Sequence, residues 1–501
     1  MTSVIEWMDA WSREQPTRVY LRDARCDRFI TYGAMVSLVR RWQADFDEHG
    51  PRVGGRIAIL VSDPLDFAVV FLAVLTSGRH AVPLDPDAPP AETERALRHA
   101  RPELVVTDRS IPAPSGVREL SPRMTLDPVP VGPEVDGGHG PVVGGHGPVV
   151  GGHLEVDDHG SVAEQGGVLL TGSAPAGPTT QVFLGTAQLS YVAATVARHH
   201  QLSRSDIGYN PLPLFHANAL VVGLLATLYS GATLVLDRRF RRRGFWTMIG
   251  RHRVTWINGV PAILAILARD RDAVRARDCH VRFVRSAAAP LSVRVLQAFE
   301  EATGVPVLET YGMTEAGGHL TASPPAGTRK PGSVGVPVGS EVRIVDDTGT
   351  VLPAELTGKV QVRGPGVIRA YVGPDDGHRF TDDGWLDTGD IGLLDPDGYL
   401  FLSGRSDDVI NRGGEKVLPR EVEEVLLADP RVRRVTVVSR PDAVLGEVPV
   451  ALVVPVDVPD PRLRTDLAER CEAGLTKFKR PTSIEIVADL PAAAGHTHAA
   501  A

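Results

Sequence analysis

The stretch Glu309-Thr310-Tyr311-Gly312-Met313-Thr314-Glu315 concentrates side chains suited to one kind of chemistry. Thr314 and Glu315 set a hydroxyl beside a carboxylate just after a glycine turn at Gly312. That arrangement can meet a phosphate oxygen and the Mg2+ that accompanies it. Tyr311 adds an aromatic face able to cover a flat base. Taken alone, these residues would suit any loop. A second candidate is the imidazole series His139, His146 and His153, which recurs because GGHGPVV at 137–143 is copied at 144–150 and begun again at Gly151. One reading is a metal-binding tract; the plainer one, adopted here, is a flexible Gly/Pro linker widened by repeat slippage. Residues 128–161 then form a low-complexity Gly/His/Pro insertion in a folded body.

The elements that must hold such residues follow from the hydropathy pattern. Arg56-Ile57-Ala58-Ile59-Leu60-Val61 reads as a buried strand, Asp66 to Thr76 as an apolar helix, and Ala81-Val82-Pro83-Leu84 and Leu104-Val105-Val106-Thr107 as further strands. This alternation predicts an open, mostly parallel α/β layer. A second such layer follows: strand Gly167 to Leu170, helices at Gln188 to His200 and Ala219 to Tyr229, strand Thr233-Leu234-Val235-Leu236, a helix near Phe245 to Arg253, and strand Thr255-Trp256-Ile257-Asn258. From Gly332 to Phe401, short alternating strands such as Val342-Arg343-Ile344-Val345 and Lys359-Val360-Gln361-Val362 predict a small β-rich subdomain. Beyond Gly404, helices at Pro419 to Leu427 and Arg462 to Leu475, with strands at Val432 to Ser439 and Val448 to Pro455, predict a small α+β unit. The predicted division is a large N-terminal domain over 1–403 and a C-terminal domain over 404–501.

Composition narrows the classes. The 501 residues are 43% hydrophobic and 23% charged, which excludes a disordered, collagen-like or coiled-coil chain. The net charge of −8 argues against a surface built to grip nucleic acid. The arginine run Arg238, Arg239, Arg241, Arg242, Arg243, Arg251 and Arg253 reads as the solvated start of a helix. Lysine occurs only at 330, 359, 416, 477 and 479, so each Lys carries weight and each missing one is ambiguous. Cys26, Cys279 and Cys471 are far apart and lack CxxC spacing, which points to a reducing cytoplasm. The first residues have no apolar signal region, and no uncharged run reaches the length of a membrane span, so no membrane partner is expected.

Two downstream segments give the heptad its company: Trp385-Leu386-Asp387-Thr388-Gly389-Asp390, and the run from Gly404-Arg405-Ser406-Asp407-Asp408 through Ile410-Asn411-Arg412-Gly413-Gly414-Glu415-Lys416 to Glu423. In order and spacing these resemble the adenylate-forming superfamily, which holds acyl-CoA synthetases, luciferases and peptide-synthetase adenylation domains. Ile30-Thr31-Tyr32-Gly33, Pro213-Leu214-Phe215-His216-Ala217-Asn218 and Ser286-Ala287-Ala288-Ala289-Pro290-Leu291 agree with it, so the likeness covers most of the chain. The resemblance implies that Tyr311, following the turn with Gly312, stacks on adenine and that Thr314 touches the α-phosphate. It further implies that Glu315 holds Mg2+, that Asp390 and Arg405 bind the ribose hydroxyls, and that His216 lies near the acyl site. Asp407 would be the hinge of a swinging C-terminal domain, and Gly413, Gly414 and Lys416 would lie on the CoA side. Asp390 and Arg405 could instead serve only as a pair tying two domains together.

Within the superfamily, amino-acid-activating members place an Asp just after the Phe of the His turn. Here His216 follows Phe215 and Ala219, Leu220, Val221 and Val222 come next, so the expected partner is a small carboxylic acid or acyl compound, apolar aliphatic or aryl. The family's phosphate loop ends in Pro-Lys-Gly. Laid on residues 173–182 it keeps Ser173, Gly177 and Val182 but finds Thr180 and Gln181 where Lys and Gly belong. At the C-terminus, Gly495-His496 stands where the family has a Gly followed by a Lys. Adenylation must neutralise two anions, so these departures predict an impaired or atypical reaction. The leading reading is an AMP-forming acid:CoA ligase using ATP, Mg2+ and CoA. The alternatives are a non-adenylating relative that hydrolyses or rearranges a preformed acyl compound, and a catalytically dead partner in a biosynthetic complex.

Overall fold

The structure is a computed structural model, and it describes residues 3–111, 117–121, 166–171, 181–270, 279–373, 379–412, 415–442, 445–458, 460–490 and 498–499. The GGHGPVV tract lies outside the described residues.

Short-range chemistry starts the elements where the sequence places them. The Asp63 carboxylate accepts from the Leu65 and Asp66 amides at 3.0 and 3.1 Å, and Pro64 takes the first helical position, so the helix Pro64–Thr76 begins with its orphan N–H groups satisfied. Leu65 and every residue from Phe67 to Leu75 are buried, because a helix apolar on all sides must be covered on all sides.

Among the described residues the strands gather in four sheets. One runs in the spatial order Arg118–Leu120, Leu104–Thr107, Arg56–Leu60, His80–Pro83, Gly167–Thr171 and Gln181–Gly185; its pairings are parallel except the last. The second has a parallel centre, Val307–Tyr311, Phe283–Ser286, Trp256–Gly259, Ile207–Asn210, Thr233–Leu236 and Val19–Asp23, with antiparallel strands at both edges. One large apolar core joins these two layers. The third sheet is antiparallel, Glu341–Val345, Gly358–Arg363, Leu386–Leu394 and Leu400–Arg405, over its own smaller core.

The predicted α/β architecture with a β-rich addition and a smaller α+β C-terminal unit is therefore the observed one. In that last unit the long hairpin Val432–Asp442 and Gly446–Pro455 packs on helices Pro419–Leu427 and Leu463–Gly474 around a separate core that includes Val422, Leu426, Val435, Val453 and Leu467.

Three local expectations change. The strand expected to open the second layer, Gly167–Thr171, pairs instead with His80–Pro83 in the first sheet. The stretch expected as one apolar helix is a π-helix, Asn218–Leu225, followed by a short α-helix, Ala226–Ser230. A wide turn of this kind displaces the backbone just after His216 and is common at functional sites. Arg238 to Arg243 precede the helix Phe245–Arg251 rather than opening it, while Arg251 ends it and Arg253 lies just beyond; Arg238 pairs with Asp87 and Arg251 with Asp27 at the surface.

Candidate functional site

The central parallel strands end side by side, and the carboxyl edge of such a sheet is where ligands settle. Val307–Tyr311 ends on Tyr311, after which the chain doubles back: the Gly318 amide donates to Met313 O at 2.9 Å and the Leu320 amide to Tyr311 O at 2.9 Å. Gly312 makes this possible. A Cβ there would lie 2.4 Å from the Gly318 carbonyl carbon and 2.5 Å from the His319 nitrogen. Gly312→Ala is thus expected to push the two limbs of the turn apart, lowering stability by about 1–3 kcal/mol. Thermal unfolding of parent and variant checks this.

Thr314 opens the short 3-10 turn that follows, and Glu315 is its second residue. Glu315 is buried, and its Oε1 accepts from the Tyr371 hydroxyl at 3.1 Å and lies 4.0 Å from the Arg379 guanidinium. Its Oε2 is buried with no donor among the described residues, leaving a lone-pair position of the kind a hard cation can use. Burial, and then the Glu315 charge, push the Tyr371 hydroxyl up to about 12, so it remains a donor at neutral pH.

Asp390 comes from the third sheet. It pairs directly across from Arg405 in the antiparallel ladder, and Arg405 Nη1 donates to its Oδ1 at 3.4 Å. The Tyr311 hydroxyl donates to Oδ2, which ties the strand end of the second sheet to the third. Burial first, then the Asp390 charge, raise the Tyr311 phenol well above its ordinary value, so it stays protonated. Arg405 also reaches Asp407, at 3.4 Å, in the turn Ser406–Asp408. Gly389, at φ +75°, leaves room for two guanidinium groups, since a Cβ would lie 2.9 Å from Arg405 Nη2 and 3.0 Å from Arg379 Nη2.

The structure thus brings Tyr311, Asp390, Arg405 and Asp407 into one run of contacts, with Glu315 in the adjoining turn. His216 stands on a separate element, exposed in the turn before the π-helix with its ring 4.5 Å from that of Phe215. Lys416 is away from these groups and pairs with Asp347 at 2.8 Å on an exposed surface. Ser173, Gly177, Gly413, Gly414 and His496 lie outside the described residues.

Sequence reasoning missed Tyr371 and Arg379, which no motif marks. It also missed Arg285, whose signal was available: a lone charge inside the apolar strand Phe283–Ser286. A further buried acid, Glu309, precedes the heptad's tyrosine. Burial pushes its carboxyl up to about 8, against the opposing pull of Arg420 from the C-terminal unit and the Leu291 amide. A folded-state value above the ordinary 4.5 means that the folded protein holds this proton more tightly than the unfolded chain. Stability from this group is complete below about pH 4.5 and is lost as pH rises towards 8, by about 1.4 kcal/mol per unit. Glu309→Gln is expected to remove that slope: parent and variant unfold at similar temperatures at pH 5, and the variant is the more stable at pH 8.

Two family models match the chain: AMP-binding enzyme over residues 8–136 and 181–372, and AMP-binding enzyme C-terminal domain over 421–495. The chain is similar to oxalate–CoA ligase of Arabidopsis thaliana, 34% identical with 92% of this chain and 90% of that one covered. It is similar also to sulfoacetate–CoA ligase of Cupriavidus necator, 31% identical with 95% and 92% covered. Among solved structures, o-succinylbenzoate CoA synthetase of Bacillus subtilis in complex with the acyl-adenylate intermediate superposes with a TM-score of 0.80 at 25% identity, covering 98% of this chain and 96% of that one.

Proposed function

The chain belongs to the AMP-binding enzyme family, the adenylate-forming superfamily, and from that premise we propose that it is an AMP-forming acid:CoA ligase. The carboxylate of a small acid attacks the α-phosphorus of ATP, pyrophosphate leaves, and the CoA thiol then displaces AMP from the acyl carbon. The observation that carries this reading is the convergence of Tyr311, Asp390 and Arg405 beside Glu315. Tyr311 would cover adenine, Asp390 with Arg405 would accept and donate to the ribose hydroxyls, and Thr314 would meet the α-phosphate. Glu315 Oε2, which has no donor among the described residues, fits Mg2+, which would supply charge neutralisation at the phosphates. Arg379 brings a cation to the same place, and this bears on the phosphate loop, where Thr180 and Gln181 replace the family's Lys and Gly. His216 and His496 remain the candidate imidazoles, and Ser173 and Gly177 the retained loop positions.

The relatives' names point to small carboxylic acids, and the apolar residues after His216 favour an aliphatic or aryl body for the acid here. We place the domain division at 403/404, with Asp407 as the hinge and Gly413, Gly414 and Lys416 on the thiol side. Among the described residues no helix is long and apolar enough to cross a membrane, and three widely spaced cysteines without CxxC spacing suit a reducing, cytoplasmic compartment. The test is calorimetric titration with Mg·ATP and AMP, followed by pyrophosphate release with an acid panel. Micromolar nucleotide binding and acid-dependent release are expected; absence of both would overturn the proposal.

A further inference from the structure

Arg285 sits on the next-to-last residue of the central strand Phe283–Ser286, in register with Asn258 of the neighbouring strand Trp256–Gly259. Both therefore lie at the carboxyl edge of the sheet, beside the strand that ends on Tyr311. The guanidinium is completely buried. Every acceptor it uses is neutral: Asn218 Oδ1 at 2.6 Å, Asn258 Oδ1 at 3.1 Å and Gly318 O at 3.3 Å. Asn218 comes from the His turn and Gly318 from the end of the Tyr311–Gly318 turn, so the cation stands between the turn expected near the acyl site and the turn that carries Glu315.

Among the described residues no carboxylate balances its charge. The imidazoles of His199, His200 and His319 pack edge-on against one another next to it, and burial lowers all three pKa values, with the Arg285 charge lowering them further. Neutral rings add no negative charge. Donors are left over as well: among the described residues, Arg285 Nε and Asn218 Nδ2 are buried without an acceptor. An ion left in an apolar interior without a counter-charge costs several kcal/mol, and a protein keeps such a group where something arrives to pair with it. Asn218 and Gly318, its two flanking partners, are only half-buried, and exposed Ala288 just beyond the strand holds the left-handed conformation at φ +70°, a strain of about 1–2 kcal/mol typical of ligand sites.

We propose that Arg285, framed by Asn218 and Asn258, is the counter-cation for a second anionic group on the acid, at the end away from the carboxylate that is activated. The inference rests on the ligase reading above, and it names the substrate class: acids that carry two anions. A planar guanidinium is the group that matches a carboxylate with paired hydrogen bonds.

The experiment compares α,ω-dicarboxylic acids, each with the monocarboxylic acid of equal chain length, in two assays. One is acid-dependent pyrophosphate release; the other is calorimetric binding of the acid, with and without AMPCPP, an ATP analogue that does not release pyrophosphate. The parent should favour the dianion by about 10²-fold, as expected when a buried donor set is left unpaired by the wrong ligand. In Arg285→Met that ratio should fall towards one, and Arg285→Lys, which keeps the charge but not the fork, should hold an intermediate ratio. If Arg285→Met does not fold, the parent's own ratio and the lysine variant decide. Dianion-selective binding without pyrophosphate release from any acid would sink the ligase reading and keep the charge assignment. Turnover of monoacids as good as that of diacids, equal loss of both classes in Arg285→Met, or no binding of either class would overturn the assignment.

Discussion

Asp390→Ala is expected to lower kcat/KM for ATP in acid-dependent pyrophosphate release by about 10² to 10³-fold. Its carboxylate holds two donors in place, the Tyr311 phenol and the Arg405 guanidinium. In the proposed reaction it also accepts from the sugar. Charge-assisted hydrogen bonds contribute about 1.5–3 kcal/mol each, so losing the carboxylate removes two or more of them at once. It also frees Tyr311, the residue proposed to cover the base, from the contact that orients it. Asp390→Asn keeps one acceptor oxygen and the side-chain shape, so a smaller loss is expected, with most of it in KM. Steady-state kinetics on both variants, with unfolding curves to show that the sheet is intact, check the prediction. An Asp390→Ala enzyme with parental kinetics would confine the Asp390–Arg405 pair to a structural role across the ladder.

Glu315→Gln should separate stability from activity. The carboxylate is buried, and among the described residues one of its oxygens has no protein donor. Such an oxygen carries a desolvation penalty of about 1–3 kcal/mol, more when charged, and an amide of the same shape relieves part of it. The variant is therefore expected to unfold at a higher temperature than the parent in the absence of nucleotide. Its activity should fall by about 10²-fold at fixed Mg2+, because a neutral amide is a poor ligand for a hard divalent cation. The Mg2+ concentration for half-maximal rate should rise in parallel, a signature that a purely structural role would not produce. A gain of stability bought with function is the usual pattern at a strained site. Equal stability together with an unchanged Mg2+ dependence would remove Glu315 from the metal site.

The motif-bearing segments were legible in the sequence because their geometry is local. The turn at Tyr311–Gly318 needs glycine at 312 for close approach and at 317 and 318 for positive φ, and those residues stand in the chain in that order. Helix starts such as Asp63-Pro64 are equally local, since a cap acts over three residues. The strands Leu104–Thr107 and Thr233–Leu236 and the helix Pro419–Leu427 begin and end where their hydropathy places them. The π-helix after His216 was not legible, because an all-apolar run gives no period by which to tell one helix type from another.

Motif order, hydropathy and turn chemistry by themselves determined the architecture and the family, and singled out Tyr311, Glu315, Asp390 and Arg405 as candidates. Only the tertiary structure decided what surrounds them. Tyr371 and Arg379 reach Glu315 because the chain crosses back from the third sheet, 56 residues later in the case of Tyr371. Arg285 gains its cage from Asn218, Asn258 and Gly318, which lie 67, 27 and 33 residues away along the chain. Parallel strands are joined by long crossovers, so residues that share the carboxyl edge of a sheet are remote in sequence. A charge buried there shows in the sequence only as one arginine in a strand; whether an anion already pairs with it is a property of the packed fold.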